Sequence, residues 1–503
     1  MSDAVGTERI SRVVGYKIIK GNFANVTPNL PQRIAIIGEA NTANQGAVTF
    51  DEPKEILSAQ EAGKVYGYGS PIHMAMRILR PNAGGGVGGI PTIVYPQEAA
   101  DSSVANVQTI TVTGTADANT THNVIIGGRA ILDGGSYAVN VVTGETPTEV
   151  ATKIKDVINN VLGSPFIATS TAGVVTLTAK WTGLTSQGLT ISVFTGEENA
   201  ALTYAIAEDA AGSGTPTVTA SLTNFGDDWN TIVLNTYGLV SSTLDELEAF
   251  NGVPDPTTPT GRFAGITMKP FIAISGSVLD EDTAITDARL NNVTIAVAPA
   301  PLSQGLALEA SANMTVEFAN VSQDTPNLDV AGRTYSDMPT PALIGTMAVY
   351  NNRDSYVKKG NSTVSLSTGR YKIEDFVTTY HPEGETPPQF RYPRNLMLDF
   401  NVKFGYRLLE EINVVDHSIS NDDDPVEASK VVKPKQWTAV LNEYADDLAK
   451  RALIAEPSFM KDSIIVGIST TNPDRFETSF SYKRTGFARI SSTTAEAGFN
   501  FGQ

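Results

Sequence analysis

Short apolar runs with almost no polar interruption are the feature that most restricts what this chain can fold into. Ile34-Ala35-Ile36-Ile37, IPTIVYP (90–96), NTIVLN (230–235), FIAIS (271–275) and NVTIAVA (292–298) are each too short for a buried helix. Continuous apolar strands of this length are covered on both faces, as in a parallel sheet flanked by helices. Helical segments do lie between them. SPIHMAMRILR (70–80) opens with Ser70 as N-cap and Pro71 at the first helical position, and it places Ile72, Ala75, Met76 and Leu79 on one face. STLDELEAF (242–250) carries Thr243 and Glu246 at capping-box spacing, and Asp51 with Pro53 predicts another short helix. Alternating strand and helix predicts a mixed α/β core with a partly parallel sheet.

An apolar strand running into Gly38-Glu39 also raises the question of a phosphate site. A Walker loop requires Gly-Lys-Ser/Thr after its glycines, whereas Glu39-Ala40-Asn41 follows Gly38. Gly84, Gly86 and Gly89 match G-x-G-x-x-G, but they follow a helix and precede a strand, the reverse of the dinucleotide context. A flexible loop is the expected reading. His73, His122, His381 and His417 show no metal-ligand spacing, Asn421-Asp422-Asp423-Asp424 lacks the Gly and Glu of a calcium loop and reads as a solvated linker, and no G-x-S-x-G is present. These readings predict no enzyme, no cofactor and no metal site.

Between residues 101 and 215 the composition changes to Thr, Gly, Ala and Val in alternating runs: QTITVTG, HNVIIGG, SYAVNVV, GVVTLTA and LTISVF. One helix interrupts them, with Thr146 and Glu149 as a capping box and Val150, Ile154, Val157, Ile158 and Val161 as a stripe. This predicts an inserted, mostly-β domain with one helix. Later, the segment from Pro434 aligns Trp437, Val440, Leu441, Tyr444 and Leu448 on a helical face. DSIIVGIS, a turn at TTNPD and RFETSFSY then form a hairpin pattern, with Phe476, Thr478, Phe480 and Tyr482 alternating with polar residues.

The chain of 503 residues has a formal net charge of −18 and no cysteine. Acidic balance disfavours direct nucleic-acid binding, whose affinity comes from Lys and Arg on phosphate. Absence of cysteine excludes disulfides and thiolate sites. No run of about eighteen apolar residues is present to span a bilayer, and MSDAVGTERISRVVG lacks a signal-peptide core, so a cytosolic chain without membrane insertion is expected.

Both ends read as extended. Residues 1–30 place Val14, Tyr16 and Ile18 in alternation, and the last residues, from Phe487 through Ile490 to 503, carry no helical pattern. Extended alternating segments expose backbone donors and acceptors that require a partner. They either fold back on their own domain or add strands to a neighbouring subunit, in which case the head-to-tail contact builds rings or open tubes.

RIAIIGEA after an extended arm, VYGYGSPIHMAMRILR, NTIVLNTYG through TDARLNNVTIAVAPAP, GRYKIEDFVTTY with Thr378, Thr379 and Tyr380, and the C-terminal hairpin and tail together resemble the tail sheath proteins of contractile phages and related injection particles. One departure is visible: where the family often carries an arginine before the Thr-Thr-Tyr segment, this chain has Asp375 or Phe376. The resemblance implies a sheath-like α/β core built from N- and C-terminal parts: 1–30 an N-terminal arm, 31–100 and 216–420 the core, 101–215 the insertion, 421–486 a C-terminal core, and 487–503 a C-terminal arm. It further implies stacked hexameric rings around a tail tube, with baseplate and tail terminator proteins as further partners. The particle the resemblance implies is a virion tail assembled in the host cytoplasm, expected to contract from a metastable state and drive the tube through the host envelope for genome ejection. Val14, Tyr16, Ile18, Phe487 and Ile490 are then the inter-subunit arm strands, and Gly15, Gly21 and Gly486 the candidate hinges. The alternative reading is a virion surface or adhesion protein that uses the Thr/Gly-rich insertion.

Overall fold

The computed structural model describes residues 27–127, 136–196, 201–265, 268–278, 283–300, 307–336, 338 and 345–499. The expectations at Val14, Gly15, Tyr16, Ile18 and Gly21 therefore lie outside the described residues. The chain divides into two compact units, one of residues 30–400 and 487–503, the other of residues 1–29 and 401–486. The boundary near residue 400 falls within the long helix Pro393–Asn413.

The larger unit is organised on a six-stranded sheet in the order Ile295–Ala300, Ile272–Val278, Ile232–Asn235, Ile34–Glu39, Thr92–Gln97 and Lys54–Glu55. Every pairing is parallel except that of the two-residue edge strand Lys54–Glu55. Each residue of the Ile34, Thr92 and Ile232 strands is buried, because helices cover both faces. On one face Ala35, Ile37, Tyr95 and Val233 pack with Leu222, Phe225, Leu244 and Leu247. Helices Pro71–Leu79 and Ala307–Asp324 pack on the other. The second approaches so closely that a Cβ on Gly276 would lie 1.7 Å from the Ala307 carbonyl oxygen.

Ser70 caps its helix as expected, accepting from the His73 N–H at 3.1 Å. Three local expectations are corrected. Asp51 adopts φ 61° and Pro53 leads into the edge strand, so the next helix of more than one turn begins at Ala59, capped by Ser58. Thr243 and Glu246 form no capping box, because the helix starts earlier, at Ser241. Glu246 accepts instead from the Val218 N–H and the Thr219 hydroxyl, at 2.6 and 2.8 Å, and so holds the start of helix Thr219–Thr223. The glycine loop is held rather than loose: Arg80 donates to the carbonyls of Gly88 and Ile90, and Asn320 to that of Gly86.

The strands between 107 and 210 form two antiparallel sheets. One has the order Thr203–Ala210, Val107–Thr113, Val174–Ala179, Phe166–Thr171; the other Ser136–Val141, Thr120–Gly127, Thr190–Phe194. Their alternating inward residues, among them Ile110, Val112, Val124, Val139 and Leu177, share a core with Val150, Ile154 and Ile158 of helix Pro147–Asn159. Thr146 and Glu149 close the capping box. Strands Phe166–Thr171 and Thr203–Ala210 were not legible as separate runs.

In the smaller unit, helix Pro434–Lys450 buries Trp437, Leu441, Tyr444 and Leu448, with Val440 half-buried. Ile465–Ile468 pairs antiparallel with Phe476–Ser479, and Trp437 Nε1 donates to Thr478 Oγ1 at 3.0 Å, which ties the hairpin's inward face to that helix. The acidic run is not a plain linker: Asp422 accepts from the Lys435 N–H and so caps the helix from outside it, while Asp424 accepts from Ser420 and Asn421. Those donors hold the Asp424 carboxyl below its ordinary range.

Candidate assembly site

The terminal segments are where sequence placed function, and each is fixed by a charged group close to where it meets its unit. On the N-terminal side, Arg451 donates to the Thr27 carbonyl and hydroxyl, both at 2.8 Å, and to Asn29 Oδ1 at 2.9 Å. Asp447, one helical turn before Arg451, accepts from the Thr27 hydroxyl at 2.9 Å and pairs with Arg451 at 3.2 Å. Gly405 leaves the room: a Cβ there would stand 2.7 Å from Tyr444 Oη and 3.1 Å from Thr27 Oγ1.

On the C-terminal side, Lys483–Arg484 pairs antiparallel with Ile454–Ala455, and the Thr485 N–H extends the ladder to the Leu453 carbonyl at 3.3 Å. Gly486 follows, with nothing within 4 Å of where a Cβ would stand and no left-handed backbone angle. Phe487 then lies against the Arg394 guanidinium, 5.6 Å from ring centre to Cζ. Arg489 stacks on Tyr392 at 3.5 Å, forms an ion pair with Asp329 and stands 3.7 Å from Asp375. Its side chain is 13% exposed and that of Asp329 3%, so water screens this pair poorly. Burial raises the Asp375 carboxyl above its ordinary range, with Arg489 pulling the other way. Burial likewise lowers Arg394, with Arg489 acting in the same direction.

Beyond the clamp the segment is open. Ile490 is 90% exposed and Phe499 89%, and no residue from 486 to 499 belongs to a strand. Of the residues singled out for arm contacts, Phe487 is thus packed beside the clamp and Ile490 projects into solvent. Arg489, Asp329, Tyr392, Thr27, Asp447 and Arg451 were missed by sequence reasoning. Only the four-residue spacing of Asp447 and Arg451 gave a local signal.

The Thr378–Thr379–Tyr380 segment is not a full strand. Thr378 makes an isolated antiparallel bridge to Ala296, and the Thr379 N–H donates to the Ile295 carbonyl at 2.9 Å, at the edge of the six-stranded sheet. Phe376 is buried against Phe318, and Asp375 faces Arg489, so at this departure from the family pattern the acid receives an arginine from the C-terminal segment. The histidines stay apart. His73 accepts from the Gly69 N–H, His122 bonds Tyr204, His381 meets Asp287 and His417 its neighbouring Val415 carbonyl. Among the described residues no three His, Asp or Glu side chains gather in a metal-binding arrangement, and no helix is long and apolar enough to cross a membrane.

No protein-family model matches the chain. A curated protein does: the chain is 21% identical over 437 residues, 86% of each chain, to the tail sheath protein of the Mu-like prophage FluMu of Haemophilus influenzae. The chain is thus similar over most of its length to a tail sheath protein, the family its residues resemble. Solved structures align along it as well. A sheath tail protein from Desulfitobacterium hafniense gives 11% identity and a TM-score of 0.44, covering 93% of this chain and 100% of that one. One from Listeria innocua gives 10%, 0.44, 92% and 94%. A chain of the anti-feeding prophage baseplate gives 11%, 0.47, 97% and 100%.

Proposed function

We propose that this chain is a structural subunit of a contractile tail sheath, which polymerises as stacked hexameric rings around a tail tube and contracts from a metastable extended state. The single observation that carries the reading is the similarity to a tail sheath protein along most of both chains. The C-terminal segment supports it. A segment clamped by Arg489 and then exposed and outside any strand from Ile490 to Gly498 is available to a second copy as an added strand. Gly486 is proposed as the hinge: Thr485 is hydrogen-bonded on one side, Phe487 is packed on the other, and the glycine between them has open space around it. Val14, Tyr16 and Ile18 are proposed to make the matching contact at the other end, hinged at Gly15 and Gly21. The six-part division at 30, 100, 215, 420 and 486 is proposed with them, as are the tail tube, baseplate and tail terminator partners.

Negative-stain microscopy of the purified full chain beside a chain ending at Arg489 tests this. Tubes or stacked rings are expected from the full chain, and folded, soluble, unassembled protein from the shortened one. Equal assembly by both would overturn the arm mechanism, and no assembly by the full chain with a tail tube protein supplied would overturn the sheath reading.

A further inference from the structure

The C-terminal end of the Ile34 strand carries Glu39, a carboxyl that is 1% exposed and has no arginine or lysine paired to it among the described ion pairs. It sits where the strand order reverses. From Ile34–Glu39 the chain moves outward to Thr92–Gln97 and Lys54–Glu55 on one side and later to Ile232–Asn235 and beyond on the other. The β-rich insertion reaches this point through the turn Leu184–Ser186. Trp181 Nε1 donates to Thr185 Oγ1 at 2.9 Å, and Thr185 Oγ1 donates to Glu39 Oε2 at 2.9 Å. Trp181 belongs to the insertion's own core and is 2% exposed, so this relay runs from that core to the end of the central sheet.

Backbone contacts bring the turn in close. The Thr42 N–H donates to the Lys180 carbonyl at 2.8 Å. Gly183, at φ 105°, passes so near that a Cβ would stand 3.3 Å from Glu39 Oε1. That oxygen is buried and has no hydrogen-bond partner. A cleft of about 550 Å³ lined by Trp181, Thr185, Leu189, Thr236 and Tyr237 opens beside the relay, so the turn is not packed solid on this side.

We propose that Glu39, Thr185 and Trp181 form a latch that seats the β-rich insertion on the end of the core sheet while Glu39 is protonated and loosens when that proton is lost. A buried carboxyl with one donor and no cation is stable as the neutral acid, and its anion is poorly solvated there. Burial pushes the Glu39 carboxyl up to about 8, with the Thr185 hydroxyl opposing. No ion pair among the described residues brings a cation to it. Tyr237 is itself buried and raised, Asp51 is bound to Ser221 and is of like charge, Gln97 is neutral and committed to Tyr95 and Ser221, and His73 accepts from Gly69. The Lys180 ammonium points to the Leu162 carbonyl. Because the folded value lies above the unfolded one near 4.5, the folded state holds the extra proton between them. The latch's contribution to stability therefore falls as pH rises through that interval and is gone above about 8.

Trp181 reports on the latch once Trp229 and Trp437 are replaced by Phe in the full chain. The emission of Trp181 is expected to shift to the red with a midpoint near pH 8, and Glu39→Gln, which keeps a neutral side chain at every pH, is expected to show no shift between pH 6.5 and 9.5. Thr185→Val removes the hydroxyl that joins Trp181 to Glu39, so its Trp181 emission should already lie to the red at pH 6.5. A flat Trp181 titration in the chain with Glu39, the same transition in Glu39→Gln, or an unshifted emission of Thr185→Val at pH 6.5 would each overturn the latch.

Discussion

Arg489 is the residue on which the C-terminal segment turns. Its guanidinium is held by a stack on Tyr392 and by two carboxylates, and removing it leaves Asp329 buried without its cation. Breaking a buried pair from one side costs about 3–5 kcal/mol by precedent; the partly exposed Asp375 on its far side argues for the lower end. Arg489→Ala is thus expected to lower the melting temperature of the full chain measured by calorimetry, and to make cleavage near Phe487 by a protease faster. Arg489→Lys should recover only part of the effect, since an ammonium cannot stack flat on Tyr392 while meeting both acids. An unchanged cleavage rate in Arg489→Ala would refute the clamp. His122 gives a separate test of pH. It is buried in the insertion, bonded to the Tyr204 hydroxyl, and burial pushes its imidazole down. The unfolded chain then takes up a proton first as pH falls through the ordinary histidine range near about 6.5. The insertion should lose stability below that pH, and His122→Gln should flatten the loss in a series of urea melts.

Among the elements, the close seat of helix Ala307–Asp324 on strand Ile272–Val278 depends on Gly276. A methyl group there would overlap the Ala307 carbonyl, so Gly276→Ala should force the helix away and cost about 1–3 kcal/mol or more, read as a drop in urea midpoint. Ser70 is the matching test of a helix start. Ser70→Ala removes the acceptor for the His73 N–H and should cost about 1 kcal/mol by the same measurement. These helix starts and the apolar runs were readable because both are local: a cap needs a side chain three residues away, and a strand buried on both faces needs only apolar neighbours. The pair Thr243 and Glu246 misled for the converse reason. The spacing was right, but Glu246 was drawn to the open N–H at Val218, which another element placed beside it.

For the molecule as a whole, the order of the six-stranded sheet follows from connections that the sequence contains only as alternation. Removing residues 101–215 and joining the ends should leave a chain that still folds around that sheet, measured by far-ultraviolet dichroism and a cooperative melt, because the insertion has its own core. Retained assembly of such a chain would favour the sheath reading over an adhesin that depends on the insertion. Loss of the cooperative melt would show that the core needs the insertion's turn at Glu39.

By itself the sequence determined the apolar strands of the central sheet, the helix starts at Ser70 and Thr146, the change of composition from residue 101 and the extended character of the C-terminal segment, since each depends on residues a few positions apart. Tertiary structure alone decided that Arg489 meets Asp329 and Asp375, that Arg451 receives Thr27, and that Thr185 reaches Glu39. Those partners lie more than a hundred residues apart, and in a chain with 54 acids and 36 basic residues many other pairings would satisfy charge equally well. Which of them form is set by the packing that excludes water around them, and packing is a property of the folded whole.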